Sequence, residues 1–95
     1  LITGKATAYT APIGSATSTG RGARTGYVAV NPKQIPYGSR LFIRTTVGIY
    51  IYGYAVAADT GGFVKKGRIT VDLFFNTEGE CRNFGVRNVE IYVLD

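Results

Sequence analysis

Apolar and polar residues alternate with a period of two along most of this chain. Such alternation predicts β-strands, because successive side chains of a strand point to opposite faces of its sheet. Glycine and proline residues separate the alternating segments, as expected of turns. The predicted strands are Lys5–Thr10, Gly26–Asn31, Arg40–Thr46, Ile49–Ala58, Arg68–Phe75 and Asn88–Leu94. Six short strands at this spacing are typical of an all-β sandwich or barrel.

One segment has helical features instead of strand features. Thr77 is a residue type that caps helix N-termini, and acidic residues follow it where the first turn would lie. Gly85 is typical of the position just beyond a helix C-terminus. We therefore predict one short helix over Thr77–Phe84.

Composition predicts a single domain over residues 1–95, since this length can build one core but not two. No apolar run approaches the ~20 residues that a membrane-spanning helix needs. The single cysteine, Cys81, excludes an internal disulfide and a cysteine cluster for zinc, and a buried or idle thiol is the expected state.

The net charge indicates an anionic partner but does not identify it. The charge of +5 suits an anionic partner, such as nucleic acid, a membrane surface or an anionic cell-wall polymer. The long loop Ala11–Gly26 carries two of the basic residues, Arg21 and Arg24. A loop of that length in a small domain is usually functional or mobile.

The chemistry available to the chain is limited, because it contains no histidine. Acid–base catalysis would therefore fall to carboxylates. Of six acidic residues, two lie in the most apolar stretches, Asp59 at the end of one predicted strand and Asp72 inside another. Asp59 before Thr-Gly-Gly is also compatible with a turn residue. Asp72 is harder to explain structurally, because aspartate is disfavoured within strands.

Several motifs occur together in one order along the chain: Val28-Ala29-Val30-Asn31-Pro32, Ile35-Pro36-Tyr37-Gly38-Ser39, Ala58-Asp59-Thr60-Gly61-Gly62-Phe63-Val64-Lys65 and Val71-Asp72-Leu73-Phe74-Phe75. In these motifs the chain resembles the three-aspartate (3D) domain, and it is similar to the C-terminal part of membrane-bound lytic transglycosylase A. The resemblance implies a six-stranded double-psi β-barrel with one short helix. It also implies that neither a cofactor nor a metal ion is needed.

The resemblance assigns roles to particular residues. Asp72 matches the third family aspartate, the catalytic acid of the transglycosylases, and Asp59 matches the second. Asn31 stands where the family usually has its first aspartate, and an asparagine cannot hold a negative charge. The predicted catalytic residues are thus Asp72 and Asp59. The residues predicted to bind substrate are Asn31, Thr60, Gly61, Gly62, Lys65 and Tyr9.

The activity implied by the resemblance is that of a peptidoglycan lytic transglycosylase. Such an enzyme cleaves the bond between N-acetylmuramic acid and N-acetylglucosamine and forms a 1,6-anhydro sugar, so one carboxyl group can serve as acid and then as base. The alternative is a non-catalytic wall-glycan-binding module on an expansin-like barrel. Either interpretation implies a secreted protein of the bacterial cell wall, with its signal peptide removed. Further domains of a longer protein are compatible with both, and nucleic acid is not an expected partner.

Tyrosines recur at period two in one predicted strand, at Tyr50, Tyr52 and Tyr54. This spacing predicts that the three rings lie on one face of the sheet. We expect them to pack half-buried against the barrel, with sugar stacking as the alternative.

Overall fold

The structure is a computed structural model that describes residues 1–17, 19–47, 50–61, 64, 67 and 69–94. The described elements follow the predicted order, and each lies within a few residues of its predicted position. They are β1 (Ile2–Tyr9), β2 (Tyr27–Val30), β3 (Arg40–Thr45), β4 (Ile51–Asp59), β5 (Val71–Phe74), α1 (Glu78–Phe84) and β6 (Arg87–Val93).

The strands form a closed barrel in the order β1-β5-β2-β4-β3-β6. Two pairs are parallel, β1 with β5 and β2 with β4, and the other four pairs are antiparallel. Closure leaves none of these strands with an unpaired edge, which removes the usual template for edge-to-edge aggregation. The prediction of an all-β, six-stranded double-psi barrel with a short helix is confirmed.

Strand alternation fills the barrel interior with aliphatic side chains. Val28, Val30, Val71 and Leu73 are fully buried in this core. Phe84, at the last turn of α1, adds an aromatic ring to the same core. Each such side chain contributes roughly 1.5–3 kcal/mol when fully buried, so inward positions of these strands hold the fold together.

The ends of α1 are capped as the sequence indicates. Thr77 accepts a hydrogen bond from the Glu80 backbone N–H at 3.1 Å, which satisfies one of the free donors of the first turn. Gly85 adopts a φ of 62°, and its N–H donates to the Cys81 carbonyl. A left-handed φ of this kind suits glycine, and it ends the helix at Phe84.

A β-bulge in β4 changes which tyrosines share a face. The pairing with β3 shifts after Ile43 opposite Gly53, and the next pair joins Arg44 to Ile51, so Tyr52 is the extra residue. Gly53 has a φ of 98°, which an ordinary side chain would resist. The prediction of one shared face is therefore wrong: Tyr52 packs against the core, whereas Tyr54 is 76% exposed on the outer face.

The hydroxyl group of Tyr52 joins two chain segments near one end of the barrel. It donates to the Phe74 carbonyl at 2.8 Å and accepts from the Gly26 N–H at 2.9 Å. Burial is the main reason that the pKa of this phenol rises to about 12. The hydroxyl therefore stays protonated and serves as both donor and acceptor at physiological pH.

We predict that Tyr52→Phe lowers the free energy of unfolding by about 1–3 kcal/mol, because it leaves the Gly26 donor and the Phe74 acceptor without their shared partner. Urea denaturation measures this loss as a lower midpoint with an unchanged slope. Tyr37→Phe, at an exposed turn, is the control and should leave the midpoint within the error. Equal midpoints for the two variants would contradict the bridging role.

Candidate functional site

Asp72 lies in the middle of β5 with its side chain directed away from the core. Its neighbours Val71 and Leu73 are fully buried, so alternation turns Asp72 to the outer face of the barrel. Thr7 lies opposite it on β1, and the Thr7 hydroxyl donates to Asp72 Oδ1 at 2.9 Å. The carboxyl group is thus held in one orientation by the adjacent strand.

Asp59 joins the same row of residues through β2. Ala29 pairs with Asp72 on one side and with Asp59 on the other. A register shift between Val28 and Ala29 makes the second pairing possible, because it skips Ala58 in β4. The two aspartates therefore lie two strand spacings apart, with Cα atoms separated by roughly 10 Å. Their carboxyl groups interact electrostatically across this distance.

The surroundings of Asp72 favour its protonated form. Burial is the largest effect that raises its pKa, and the negative charge of Asp59 adds to it. The hydrogen bond from Thr7 acts in the opposite direction, but the net change is upward. A carboxyl group with a raised pKa holds a proton to higher pH, as a general acid must.

Asp72 opens into a cleft of about 710 Å³ between β1, β5 and the end of α1. Thr7 and Tyr9 line one side of this cleft, and Cys81, Arg82 and Val86 line the other. The lining is mostly apolar with a few polar groups, which is typical of a site that orients a small ligand. We call this cavity the Asp72 cleft.

Tyr9 lines the Asp72 cleft and has a buried hydroxyl group. Its ring packs edge-on against Phe74 with centroids 5.5 Å apart. The hydroxyl oxygen is buried, and it has no hydrogen-bond partner among the residues that the structure describes. Burial raises the pKa of this phenol, and the charges of Asp59 and Asp72 raise it further. The group is therefore a permanent donor close to both carboxylates.

Cys81 also reaches the Asp72 cleft, on the side formed by α1. Burial raises the pKa of its thiol, and the charge of Asp72 adds to the effect. A raised pKa disfavours the thiolate, which is the reactive form of cysteine. This chemistry agrees with the predicted idle thiol.

Asn31 has a local structural role just beyond β2. Its side-chain oxygen accepts from the Lys33 N–H at 3.0 Å, and its backbone carbonyl accepts from Gln34 and Ile35. The asparagine therefore shapes the turn after the strand, as an Asx-turn does. The turn interpretation of Asn31 accounts for these contacts, and none of them joins it to either aspartate.

The segment after β4 contains the other residues predicted to bind substrate. The Thr60 N–H donates to Asp59 Oδ1 at 2.8 Å, and the Thr60 hydroxyl is buried with no partner among the described residues. Gly61 is exposed, with open space where a side chain would lie. Gly62 and Lys65 lie outside the described residues, so their predicted roles remain predictions.

The structure adds Thr7 and Arg82 to the candidate site. Thr7 lies 65 positions from Asp72 in the sequence, and only the parallel pairing of β1 with β5 brings them together. Arg82 enters the cleft lining from the exposed side of α1. Neither residue belongs to the motifs of the sequence analysis, and a single sequence does not contain the strand order that places them.

The long loop before β2 packs onto the barrel beside Asp59. The hydroxyl of Thr19 donates to the Ala58 carbonyl at 2.8 Å, and the Thr19 N–H reaches the same carbonyl. Within the loop, Ala16 and Gly22 form an isolated bridge, and Ala23 is buried. These bonds hold the bulge at Ala58, on which the position of Asp59 depends.

Among the residues that the structure describes, no group of three His, Cys, Asp or Glu side chains is placed to hold a metal ion. No helix of the described chain is long and apolar enough to cross a membrane.

Comparison with known proteins identifies the family. The 3D domain model matches residues 26–95, and the chain belongs to the 3D domain family. The first strand, β1, lies outside the matched range, yet it pairs with β5 and β6 to close the barrel.

Two Bacillus subtilis (strain 168) proteins are similar to nearly the whole chain. One is "Cell wall-binding protein YocH", 37% identical over 101 residues, which cover 99% of this chain and 32% of that protein. The other is "Putative cell wall shaping protein YabE", 33% identical over 102 residues, which cover 100% of this chain and 23% of that protein. The chain thus spans a third or less of the length of either relative.

A solved structure shares the fold. It is the lytic transglycosylase LtgG of Burkholderia pseudomallei, with a TM-score of 0.68 and 21% sequence identity. The similarity covers 87% of this chain and 27% of that chain. The barrel described here is therefore a fold that also occurs in a lytic transglycosylase.

We predict that Thr7→Val raises the pKa of Asp72 further, because it removes a hydrogen bond that stabilises the ionised carboxylate. Thr7→Ser keeps the donor and is the matched control. Carboxyl-carbon NMR titration of each protein measures the pKa of Asp72 directly, without an activity assay. A pKa in Thr7→Val at or below that of the wild type would show that the bond does not act on this carboxyl group.

Proposed function

We propose that this domain is a peptidoglycan lytic transglycosylase in which Asp72 is the acid and the base. The observation that carries the proposal is the half-buried Asp72 carboxyl group, which has a raised pKa and opens into a cleft large enough for a sugar. Membership of the 3D family and the fold shared with a lytic transglycosylase support the same chemistry. The location we propose is the bacterial cell wall, outside the cytoplasmic membrane.

The reaction requires two proton transfers, and one carboxyl group can make both of them. Asp72 donates its proton to the glycosidic oxygen, and the bond from C1 of N-acetylmuramic acid to that oxygen breaks. The C6 hydroxyl of the same sugar then attacks C1, and the proton of that hydroxyl passes to the Asp72 carboxylate. The products are a 1,6-anhydro end and a free hydroxyl on the departing N-acetylglucosamine. Atoms and charge balance without water, and Asp72 is protonated again at the end of the reaction.

Other residues of the site stabilise and orient this chemistry. Asp59 supplies negative charge near the positive charge that develops at C1, and such a preorganised charge lowers the barrier. The Tyr9 hydroxyl, which is buried and has no partner among the described residues, would donate to a bound sugar or to the ionised Asp72 only after a change of its side-chain conformation. Arg82, at the rim of the cleft, suits the carboxylate of a stem peptide.

A specific observation also favours a second function, a wall-binding module without catalysis. Asn31 holds a turn where the family usually has an aspartate, so the site has one negative charge fewer. A relative with 37% identity is named as a cell wall-binding protein. In this case the Asp72 cleft would hold a glycan without cleaving it.

We predict that Asp72→Asn reduces the release of anhydro-muropeptides from purified sacculi by about 10²–10⁴-fold, because asparagine cannot donate the proton. The wild-type activity should also fall as the pH rises through the raised pKa of Asp72, since ionisation removes the same proton. Chromatography with mass analysis of the muropeptides measures both effects. Unchanged release by Asp72→Asn would remove Asp72 from the mechanism.

The stability of Asp72→Asn provides the control for folding. The pKa of Asp72 is raised in the folded state, so the folded protein loses stability as the pH rises past the ordinary aspartate range. The variant lacks this loss, and it should melt at or above the wild-type temperature at neutral pH. The difference in melting temperature should become smaller in acid, where the wild-type carboxyl group is protonated in both the folded and the unfolded state. Inactivity without unfolding then reports on chemistry alone.

We predict that Asn31→Asp increases the release of anhydro-muropeptides if charge at this position limits catalysis. Aspartate keeps the oxygen that accepts from Lys33, so the turn should be retained. Asn31→Ser, which can also accept that bond but carries no charge, is the matched control. A wild type that sediments with sacculi yet releases no anhydro product, with Asn31→Asp equally inactive, would favour the binding module.

A further inference from the structure

A second surface of the barrel has features of a ligand site that the proposed chemistry does not use. β3 is three strands away from β5 in either direction around the closed barrel, so it lies on the opposite side from Asp72. Phe42 on β3 pairs with Tyr54 on β4 and with Tyr92 on β6. Three aromatic side chains thus form a row across three adjacent strands, on the outer face.

The row is not explained by packing of the core. Tyr54 is 76% exposed, and Phe42 and Tyr92 are only partly buried. The Phe42 ring lies 5.2 Å from that of Tyr54 and 6.4 Å from that of Tyr92, measured between centroids. The bulge at Tyr52 and Gly53 lets two tyrosines of β4 face opposite ways. Tyr52 packs against the core, and Tyr54 faces outward beside Phe42.

Arginine side chains lie beside these rings. A depression of about 400 Å³ is lined by the aromatic row together with Arg44, whose Nε bonds to Glu90 Oε1 at 2.8 Å. Tyr54 also lines a neighbouring depression of about 540 Å³, which contains Arg24 and Arg40. Tyr54 and Leu94 line both depressions, which are therefore adjacent on this face of the barrel.

We propose that these two adjacent depressions, which we call the Tyr54 groove, together bind a glycan strand that carries carboxylates. Exposed aromatic rings offer flat apolar surfaces for the C–H faces of sugar rings, and their edges add directional contacts. The guanidinium group of Arg24, which is exposed in the lining, suits a carboxylate on the same polymer. The choice of peptidoglycan as that polymer rests on the proposed function.

A basic surface with aromatic rings would also suit single-stranded nucleic acid, in which bases stack and phosphates bind arginine. The glycan is favoured by the family relatives, which are named for cell-wall binding and shaping. The carboxylates of stem peptides complement the charge of Arg24. Nucleic acid is therefore an outcome that the experiment must be able to detect.

Two sites on opposite sides of one barrel have a functional consequence. A glycan held in the Tyr54 groove would keep the domain on the wall while a second segment occupies the Asp72 cleft. The two contacts would then act together, and the apparent affinity for an insoluble polymer would exceed that of either site. The Tyr54 groove should therefore affect retention on sacculi more than the chemical step.

The test is co-sedimentation of Tyr54→Ala and Arg24→Gln with purified sacculi, in parallel with Tyr37→Ala. Tyr37 is an exposed tyrosine outside the groove lining and provides the matched control. We expect Tyr54→Ala to bind sacculi about tenfold more weakly. Arg24→Gln should weaken binding to sacculi and leave binding to an uncharged N-acetylglucosamine oligomer unchanged. Tyr37→Ala should match the wild type throughout.

Wild-type affinity for Tyr54→Ala would overturn the proposal, as would tighter wild-type binding to an oligothymidylate than to sacculi. Melting temperatures confirm that each variant is folded.

Release of anhydro-muropeptides at saturating sacculi separates the two proposals. Normal release with weakened binding by Tyr54→Ala supports both sites. No release by any protein, with binding still dependent on Tyr54, supports the groove and contradicts the transglycosylase.

Discussion

β5 contains four residues, yet it pairs with β1 on one edge and with β2 on the other, and this double pairing determines where Asp72 lies. The pairing with β1 brings the Thr7 hydroxyl to the Asp72 carboxyl group. The pairing with β2 brings Ala29, and through Ala29 the end of β4 with Asp59. The core supplies the stability for this arrangement, because Val71 and Leu73 are fully buried on either side of the aspartate. An aspartate is otherwise poorly suited to a strand.

Much of the fold follows from the sequence because strands with one buried face have a strong period. The six strands, the capped helix and the barrel are all indicated by alternation, by Thr77 and Gly85, and by the family motifs. The bulges are not indicated. The extra residue at Tyr52 puts the β4 residues that precede it on the opposite face from the one that strict alternation predicts. The extra residue at Ala58 brings Asp59 opposite Ala29. Single residues of this kind do not change the average period from which strands are predicted.

The sequence predicts only part of the candidate site, for the same reason. Asp59 and Asp72 stand out because a carboxylate in an apolar segment needs a physical explanation. Thr7 has no such signal, since a threonine in a strand is ordinary. Tyr9 is predicted to bind substrate only through the family resemblance, and the strand pattern does not show that its hydroxyl is buried where both aspartates affect its pKa. Long-range pairing of β1 with β5 creates these neighbours, and strand order is not encoded in local pattern.

The two faces of the barrel differ in how charge is arranged. Around Asp72, burial and a like charge raise the pKa of the carboxyl group. Around Tyr54, exposed arginines and aromatic rings offer contacts without acid–base chemistry. A division of this kind would let one small domain hold an insoluble polymer at one surface and act on it at another. The long loop before β2 supports the side of the barrel that carries Asp59, because Thr19 bonds to Ala58 at the bulge.

The most direct measurement is digestion of purified sacculi in water enriched in oxygen-18, followed by mass analysis of every new glycan end. If Asp72 transfers the proton within the substrate, as proposed, the new ends are 1,6-anhydro sugars that contain no oxygen from the solvent. New reducing ends that carry oxygen-18 would show that water is the nucleophile, and they would contradict the account.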